Sequence, residues 1–160
     1  MVEKIEAEER TADSSASDLG VYLDASALAK LYLPEPESES LDRFLRGRRD
    51  LMVSELSITE VMSAVARRRR EGALDARHAN QIRDAVWADA GSGSFRRLDL
   101  TPAVHRQAEQ MLLSTESVPL RTLDALHIAL AVSGAAARVV TFDGRMAEAA
   151  LLQGLQVVRL

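Results

Sequence analysis

Four carboxylates stand in places where a charge is conspicuous. Asp24 directly follows the apolar run Val21, Tyr22 and Leu23 in the stretch VYLDASALAKLYLPE. Asp143 follows another apolar run in VVTFDGR. Glu60 lies between Ile58 and Val61 in SELSITEVMSAVARR, and Asp124 opens the almost wholly apolar LRTLDALHIALA. A buried carboxylate is costly unless something neutralises it. Each acid has a plain alternative when taken alone. Glu60 can be a surface residue at the border of an apolar helix face, and Asp124 can be a first-turn acid that complements a helix dipole. Together they make a set of oxygen donors, two at strand ends and two on helices, with no lysine or arginine evidently dedicated to each. Such donors suit Mg²⁺ or Mn²⁺; zinc would favour histidine or cysteine.

The elements that must position them follow from periodicity and punctuation. Residues 21–23 read as a first strand and 26–33 as a helix stopped by Pro34; Pro36 and Ser38 start another helix, with Leu41, Phe44 and Leu45 at helical spacing, closed by Gly47. Residues 51–53 form a second strand. Ser54 is an N-cap for a helix reaching about Glu71, with Gly72 as its stop. A helix over 76–90, a strand over 95–100 and a helix opened by Thr101-Pro102 come next. The apolar helix from Thr122 to Val132 should be buried. A strand over 138–142, a helix over 144–152 and a last strand over 156–160 complete the chain. Strands alternating with helices imply an α/β fold, with a mostly parallel sheet of about five strands between two helical layers. Asp24 and Asp143 then lie at the carboxyl ends of their strands, the edge where such sheets bind ligands.

Composition narrows the function. The 160 residues suit one compact domain. No cysteine is present, which excludes disulfides, thiolate ligands and a cysteine nucleophile, and fits a reducing compartment. No apolar run approaches the ~20 residues of a membrane span. The N-terminus lacks the apolar core of a secretion signal, so the expected location is the cytoplasm. The net charge of −4 resides wholly in residues 1–18, an acidic tail with too few large apolar side chains to form a core; residues 19–160 make the domain proper. Basic residues cluster at Arg46, Arg48 and Arg49, at Arg67 to Arg70, and at Arg96 and Arg97. Solvated helix ends explain each cluster; so would a polyanionic substrate.

The order and surroundings of the four acids resemble the PIN-domain ribonucleases, and within them the VapC-like toxins of bacterial toxin–antitoxin pairs. The matching pieces are YLDASALAKLY, SELSITEVMSAVARR, LRTLDALHIALA and VVTFDGRMAEAA, covering the body from about Val21 to Leu160. The acidic tail has no counterpart in the resemblance. What the resemblance implies is an endoribonuclease in which Asp24, Asp124, Asp143 and Glu60 hold one or two Mg²⁺ or Mn²⁺ ions, directly or through water. RNA would be cut to 5′-phosphate and 3′-hydroxyl ends by a metal-activated water. It also implies a VapB-like antitoxin partner and a homodimer.

Around the acids, Ser26 and Thr141 could hydrogen-bond the ligating carboxylates, or serve as a helix cap and a strand residue. Arg121 could touch a phosphate or be a surface arginine. His127 reads as a packed core histidine in preference to a catalytic one. Trp87 reads as packing in preference to a base-stacking platform. Two competing readings remain. One is another Mg²⁺-dependent phosphoryl-transfer enzyme. A dehalogenase-like phosphatase would carry an aspartate where Ser26 stands, and a receiver domain would need a lysine late in the chain, whereas Lys30 is the last. The other is a catalytically silent binding module of the same fold.

Overall fold

The computed structural model describes residues 20–115 and 117–160. The tail assigned to residues 1–18 lies outside the described residues. Those that are described fold as β1 (Val21–Leu23), α1 (Ala25–Ala29), α2 (Ser38–Leu45), β2 (Leu51–Ser54), α3 (Glu55–Arg70), α4 (Ala76–Gly91), β3 (Arg96–Leu98), α5 (Pro102–Ser114), α6 (Thr122–Ser133), β4 (Arg138–Val140), α7 (Gly144–Leu152) and β5 (Gln156–Val158). The strands form one sheet in the order β3-β2-β1-β4-β5, and every pairing is parallel.

Side chains of the central strand alternate between two cores, as the two-residue strand period requires. Tyr22 points to the core built with Val104, Met111, Ile128 and Met146 of α5, α6 and α7. Val21 and Leu23 point to the opposite core, built with Leu28, Leu41, Ile58, Val61 and Val86 of α1 to α4. The result is the expected three-layer α/β/α arrangement. Among the described residues no helix is long and apolar enough to cross a membrane.

Capping sets several helix starts. Ser54 accepts from the Ser57 main-chain N–H at 3.1 Å, Thr101 accepts from Val104 N–H, and Pro102 occupies the first turn of α5. At Gly72, φ is +76°, a left-handed conformation that favours glycine and ends α3. Four expected elements are shorter than the periodicity implies: β3, α1, and also β4 and β5, which stop at Val140 and Val158. Strand β3 pairs with β2 through only Arg96, Arg97 and Leu98 before the chain turns to cap α5. Helix α1 ends at Ala29. Turns bonded from Lys30 N–H to Ala27 O and from Leu31 N–H to Leu28 O carry the chain to Leu33, where the following Pro34 disfavours helical backbone.

The topology decides what meets at the carboxyl edge. Strand β1 lies between β2 and β4, so the chain crosses the sheet in opposite directions on its two sides, and a crevice opens there. Leu23 is in register with Val140, which brings Asp24 beside Thr141.

Candidate active site

One open cleft of about 780 Å³ is lined by Asp24, Glu60, Asp124 and Asp143 together. Each arrives from a different element: the end of β1, the second turn of α3, the first turn of α6, and the segment between β4 and α7.

Asp24 is the most buried, at 4% exposure. Its Oδ1 accepts from Ser26 Oγ at 2.7 Å and from the Ala27 main-chain N–H at 2.8 Å. Its Oδ2 accepts from Thr141 Oγ1 at 2.7 Å. Burial pushes the Asp24 carboxyl above its ordinary range, against the lowering effect of those three bonds. Thr141 Oγ1 also accepts from the Asp143 N–H at 3.1 Å, linking the two acids through one hydroxyl. Ser26 Oγ accepts from the Phe142 N–H at 2.8 Å, so the end of β4 is tied to the start of α1.

Asp143 is also the N-cap of α7, accepting from the Arg145 and Met146 N–H groups at 2.9 and 3.1 Å. Burial works to raise its carboxyl, but these two bonds and the Arg145 charge hold it below the ordinary range. Asp124 accepts from the Arg121 main-chain N–H at 3.2 Å and from Arg145 Nε at 3.1 Å. The Arg145 Nη2 lies 3.5 Å from Asp143 Oδ2. Glu60 Oε2 sits 2.5 Å from His127 Nε2.

The geometry corrects the sequence expectations for Arg145 and Trp87 and places His127 and Arg121. Asp124 and Asp143 do have a dedicated cation: Arg145 bridges them from the first turn of α7, two residues past Asp143. His127 is buried, at 3% exposure, as a packed core histidine should be; in addition both ring nitrogens are bonded and the ring lines the cleft. Trp87 is 45% exposed, with the Arg97 guanidinium 5.8 Å from its ring, because it lies on the solvent face of α4. Arg121 is exposed, lies outside the cleft lining, and serves Asp124 through its main chain.

One wall of the cleft was not foreseen. Lys30 is buried, and its Nζ donates to Glu35 Oε2 at 2.6 Å and Glu37 Oε2 at 2.7 Å. It also stands 4.5 Å from the Phe142 ring centroid. Arg68 pairs with the other Glu35 oxygen at 2.6 Å, and Arg67 lines the same cleft. Pairing between 30, 35, 37 and 68 is a product of the turns around Pro34 and Pro36 and leaves little periodic trace.

The donor set is compatible with a hard divalent cation. Its contributors are carboxylates, and Asp24 is buried with only neutral donors around it, so a cation would relieve its desolvation. Among the described residues no three histidine, aspartate or glutamate side chains stand together closely enough to hold an ion as placed.

Comparison with known proteins gives the family and the fold. The PIN domain family profile matches residues 21–152. Ribonuclease VapC46 of Mycobacterium tuberculosis is 36% identical over 140 residues, covering 86% of this chain and 95% of that one. Ribonuclease VapC3 of Pyrobaculum aerophilum is 29% identical over 134 residues, covering 80% and 92%. Among solved structures, FitAcB from Neisseria gonorrhoeae superposes with a TM-score of 0.67 at 19% identity, covering 87% of this chain and 96% of that one. A toxin–antitoxin complex from Klebsiella pneumoniae superposes at 0.61 and 15% identity, covering 88% and 97%.

Proposed function

This chain belongs to the PIN-domain family, and on that premise we propose that it is a metal-dependent endoribonuclease, the toxin of a toxin–antitoxin pair. The observation that carries the proposal is the convergence of Asp24, Glu60, Asp124 and Asp143 on one cleft in a chain similar to two proteins named as ribonucleases. These four acids would hold one or two Mg²⁺ or Mn²⁺ ions, directly or through water. When bound, the ion supplies a water of lowered pKa for attack on the RNA phosphodiester and neutralises charge on its oxygens.

The chain's own side chains do the rest. Ser26, Thr141 and the Ala27 N–H aim the Asp24 carboxylate. The Arg145 and Met146 N–H groups fix Asp143. Arg145 balances the Asp124 and Asp143 charges, and an ion held by both acids would take the place its guanidinium occupies. Arg67 and Arg68 on the cleft wall favour a polyanion. The protein supplies no nucleophile of its own, consistent with the absence of cysteine.

The same reading assigns a VapB-like antitoxin that covers the cleft, a homodimer and a cytoplasmic location. Its support is the likeness to ribonucleases named VapC and to a solved toxin–antitoxin complex. A second reading, a binding module that does not cleave, is favoured by one observation only, the Arg145 guanidinium seated between two of the acids. Purified protein incubated with total RNA and Mg²⁺, Mn²⁺ or EDTA separates the two. Metal-dependent cleavage to 5′-phosphate ends, lost in Asp124→Asn, is the expected result. Cleavage that persists in EDTA would overturn the metal mechanism, and a folded, metal-binding protein that cuts no RNA would favour the module.

A further inference from the structure

Behind the cleft lies a continuous polar chain inside an otherwise apolar core. Tyr22 Oη is 2.7 Å from His127 Nδ1, 2.9 Å from Ser54 Oγ and 3.3 Å from Ser57 Oγ. Ser54 and Ser57 hydroxyls are 3.0 Å apart, and Ser57 Oγ donates to the Leu23 carbonyl at 3.1 Å. At the other end His127 Nε2 meets Glu60 Oε2 at 2.5 Å. Tyr22, Ser54 and Ser57 have no measurable exposure.

Donor and acceptor accounting orders this chain. The Ser57 proton is used on Leu23 O. Ser54 then donates to Tyr22 Oη or Ser57 Oγ, both of which can accept. A neutral imidazole has one donor and one acceptor, and a carboxylate can only accept. In the neutral ring, then, Nε2 carries the hydrogen and donates to Glu60, which leaves Nδ1 to accept from Tyr22. Every polar hydrogen has a place, and the chain terminates on a cleft carboxylate.

The network also joins the elements that carry the acids. Tyr22 and Leu23 directly precede Asp24. Ser57 and Glu60 are three apart on α3, and Asp124 and His127 three apart on α6, so each pair shares one helix face. One imidazole thus ties β1, α3 and α6 together where they present Asp24, Glu60 and Asp124.

We infer that His127 is a positioning residue: clamped between Tyr22 and Glu60, it holds the Glu60 carboxylate in the orientation the metal site requires. This rests on the metal-dependent reading above. The ring does not touch the reacting atoms in this assignment; it acts through Glu60.

The experiment compares His127→Leu, His127→Gln, Tyr22→Phe, Glu60→Ala and the His127→Leu/Glu60→Ala double variant. Mn²⁺ affinity is read by isothermal titration, Tm by thermal melting in EDTA, and the wild-type tautomer by ¹⁵N NMR of the imidazole. His127→Leu is expected to lose on the order of 10- to 100-fold in Mn²⁺ affinity, the range seen when the partner of a metal ligand is removed. The double variant should lose no more than Glu60→Ala. His127→Gln, whose amide can donate from about the position of Nε2, should recover part of the loss. Tyr22→Phe should fall between wild type and His127→Leu. NMR should show hydrogen on Nε2 and not on Nδ1. Additive losses in the double variant, or an unchanged affinity beside a lowered Tm, would overturn the inference. So would an Nδ1–H tautomer, which is read without any metal. A wild-type protein that binds no Mn²⁺ would instead overturn the metal-dependent reading on which the role rests, while the tautomer would still report on the clamp.

Discussion

Replacing Thr141 with valine removes a hydroxyl and leaves the side-chain shape almost unchanged. That hydroxyl is the only donor on Asp24 Oδ2 among the described residues, because Ser26 and Ala27 both serve Oδ1. A hydrogen bond to a charged group contributes about 1.5–3 kcal/mol net. The Asp143 N–H loses its acceptor as well, but it is only partly buried and water can replace part of that bond, so it adds at most about 1 kcal/mol. The expected cost of Thr141→Val is therefore roughly 1.5–4 kcal/mol, or about 3–16 °C in Tm for a chain of this size. Thr141→Ser keeps the hydroxyl and loses one methyl, a cost of about 1 kcal/mol or less. The pH dependence has a definite sign. Burial raises the Asp24 carboxyl and the Thr141 bond opposes it, so the valine variant raises it further. A carboxyl raised in the folded state costs stability at pH values above its unfolded value, and that cost fades as pH falls toward that value. The valine deficit should thus be largest near neutral pH and shrink toward about pH 4. Urea melts in EDTA measure both effects. A valine variant within about 0.5 kcal/mol of wild type, or a serine variant as damaged as the valine one, would refute the reasoning.

Two further perturbations test other parts of the framework. Lys30→Met leaves Glu35 and Glu37 without their shared ammonium. It should lower the stability only modestly, because water screens the half-exposed glutamates. The Lys30 ammonium is the main cause that holds the Glu35 carboxyl below its ordinary range, so this part of the stability is lost as pH falls below about 4.5. Acid titration followed by circular dichroism should show a steeper decline in wild type than in Lys30→Met, and equal slopes would refute the pairing. At Gly134 an added Cβ would lie 2.6 Å from Leu98 Cδ1 and 3.1 Å from the Leu130 carbonyl. Gly134→Ala should cost about 1–2 kcal/mol by overpacking where α6 meets the sheet, and an unchanged urea midpoint would contradict that packing.

Local signals in the sequence located most elements, because they act over short spans. Ser54, the Thr101-Pro102 pair and Gly72 mark helix ends through bonds to residues three or four positions away. The buried face of α6 follows from an almost unbroken apolar run. The strand order has no such local signature. That β1 pairs with both β2 and β4 is settled by packing of the two cores, and only this order brings Thr141 to Asp24 across 117 positions. The acids were visible because a carboxylate beside an apolar run is anomalous. Their partners were not, because His127 and Glu60 are 67 positions apart and the period of α6 says only that the ring is buried. Trp87 was misjudged for a related reason: an amphipathic pattern gives a helix two faces, and a large aromatic residue does not have to lie on the inner one. Arg145 is different. It follows Asp143 by two residues, and a first-turn arginine behind an N-cap aspartate lies within reach of that acid, so its pairing is legible locally.

Under the proposed function, Asp24, Glu60, Asp124 and Asp143, carried by four elements, would share one divalent-cation site. Crystals soaked in Mn²⁺ and measured for anomalous scattering test it most directly. The expected result is a peak in the cleft, within coordination distance of Asp24 and of Asp124 or Asp143, with the Arg145 guanidinium moved off both acids. Mn²⁺ bound elsewhere on the protein, or no peak in the cleft at millimolar Mn²⁺ with Arg145 still seated between Asp124 and Asp143, would contradict the account.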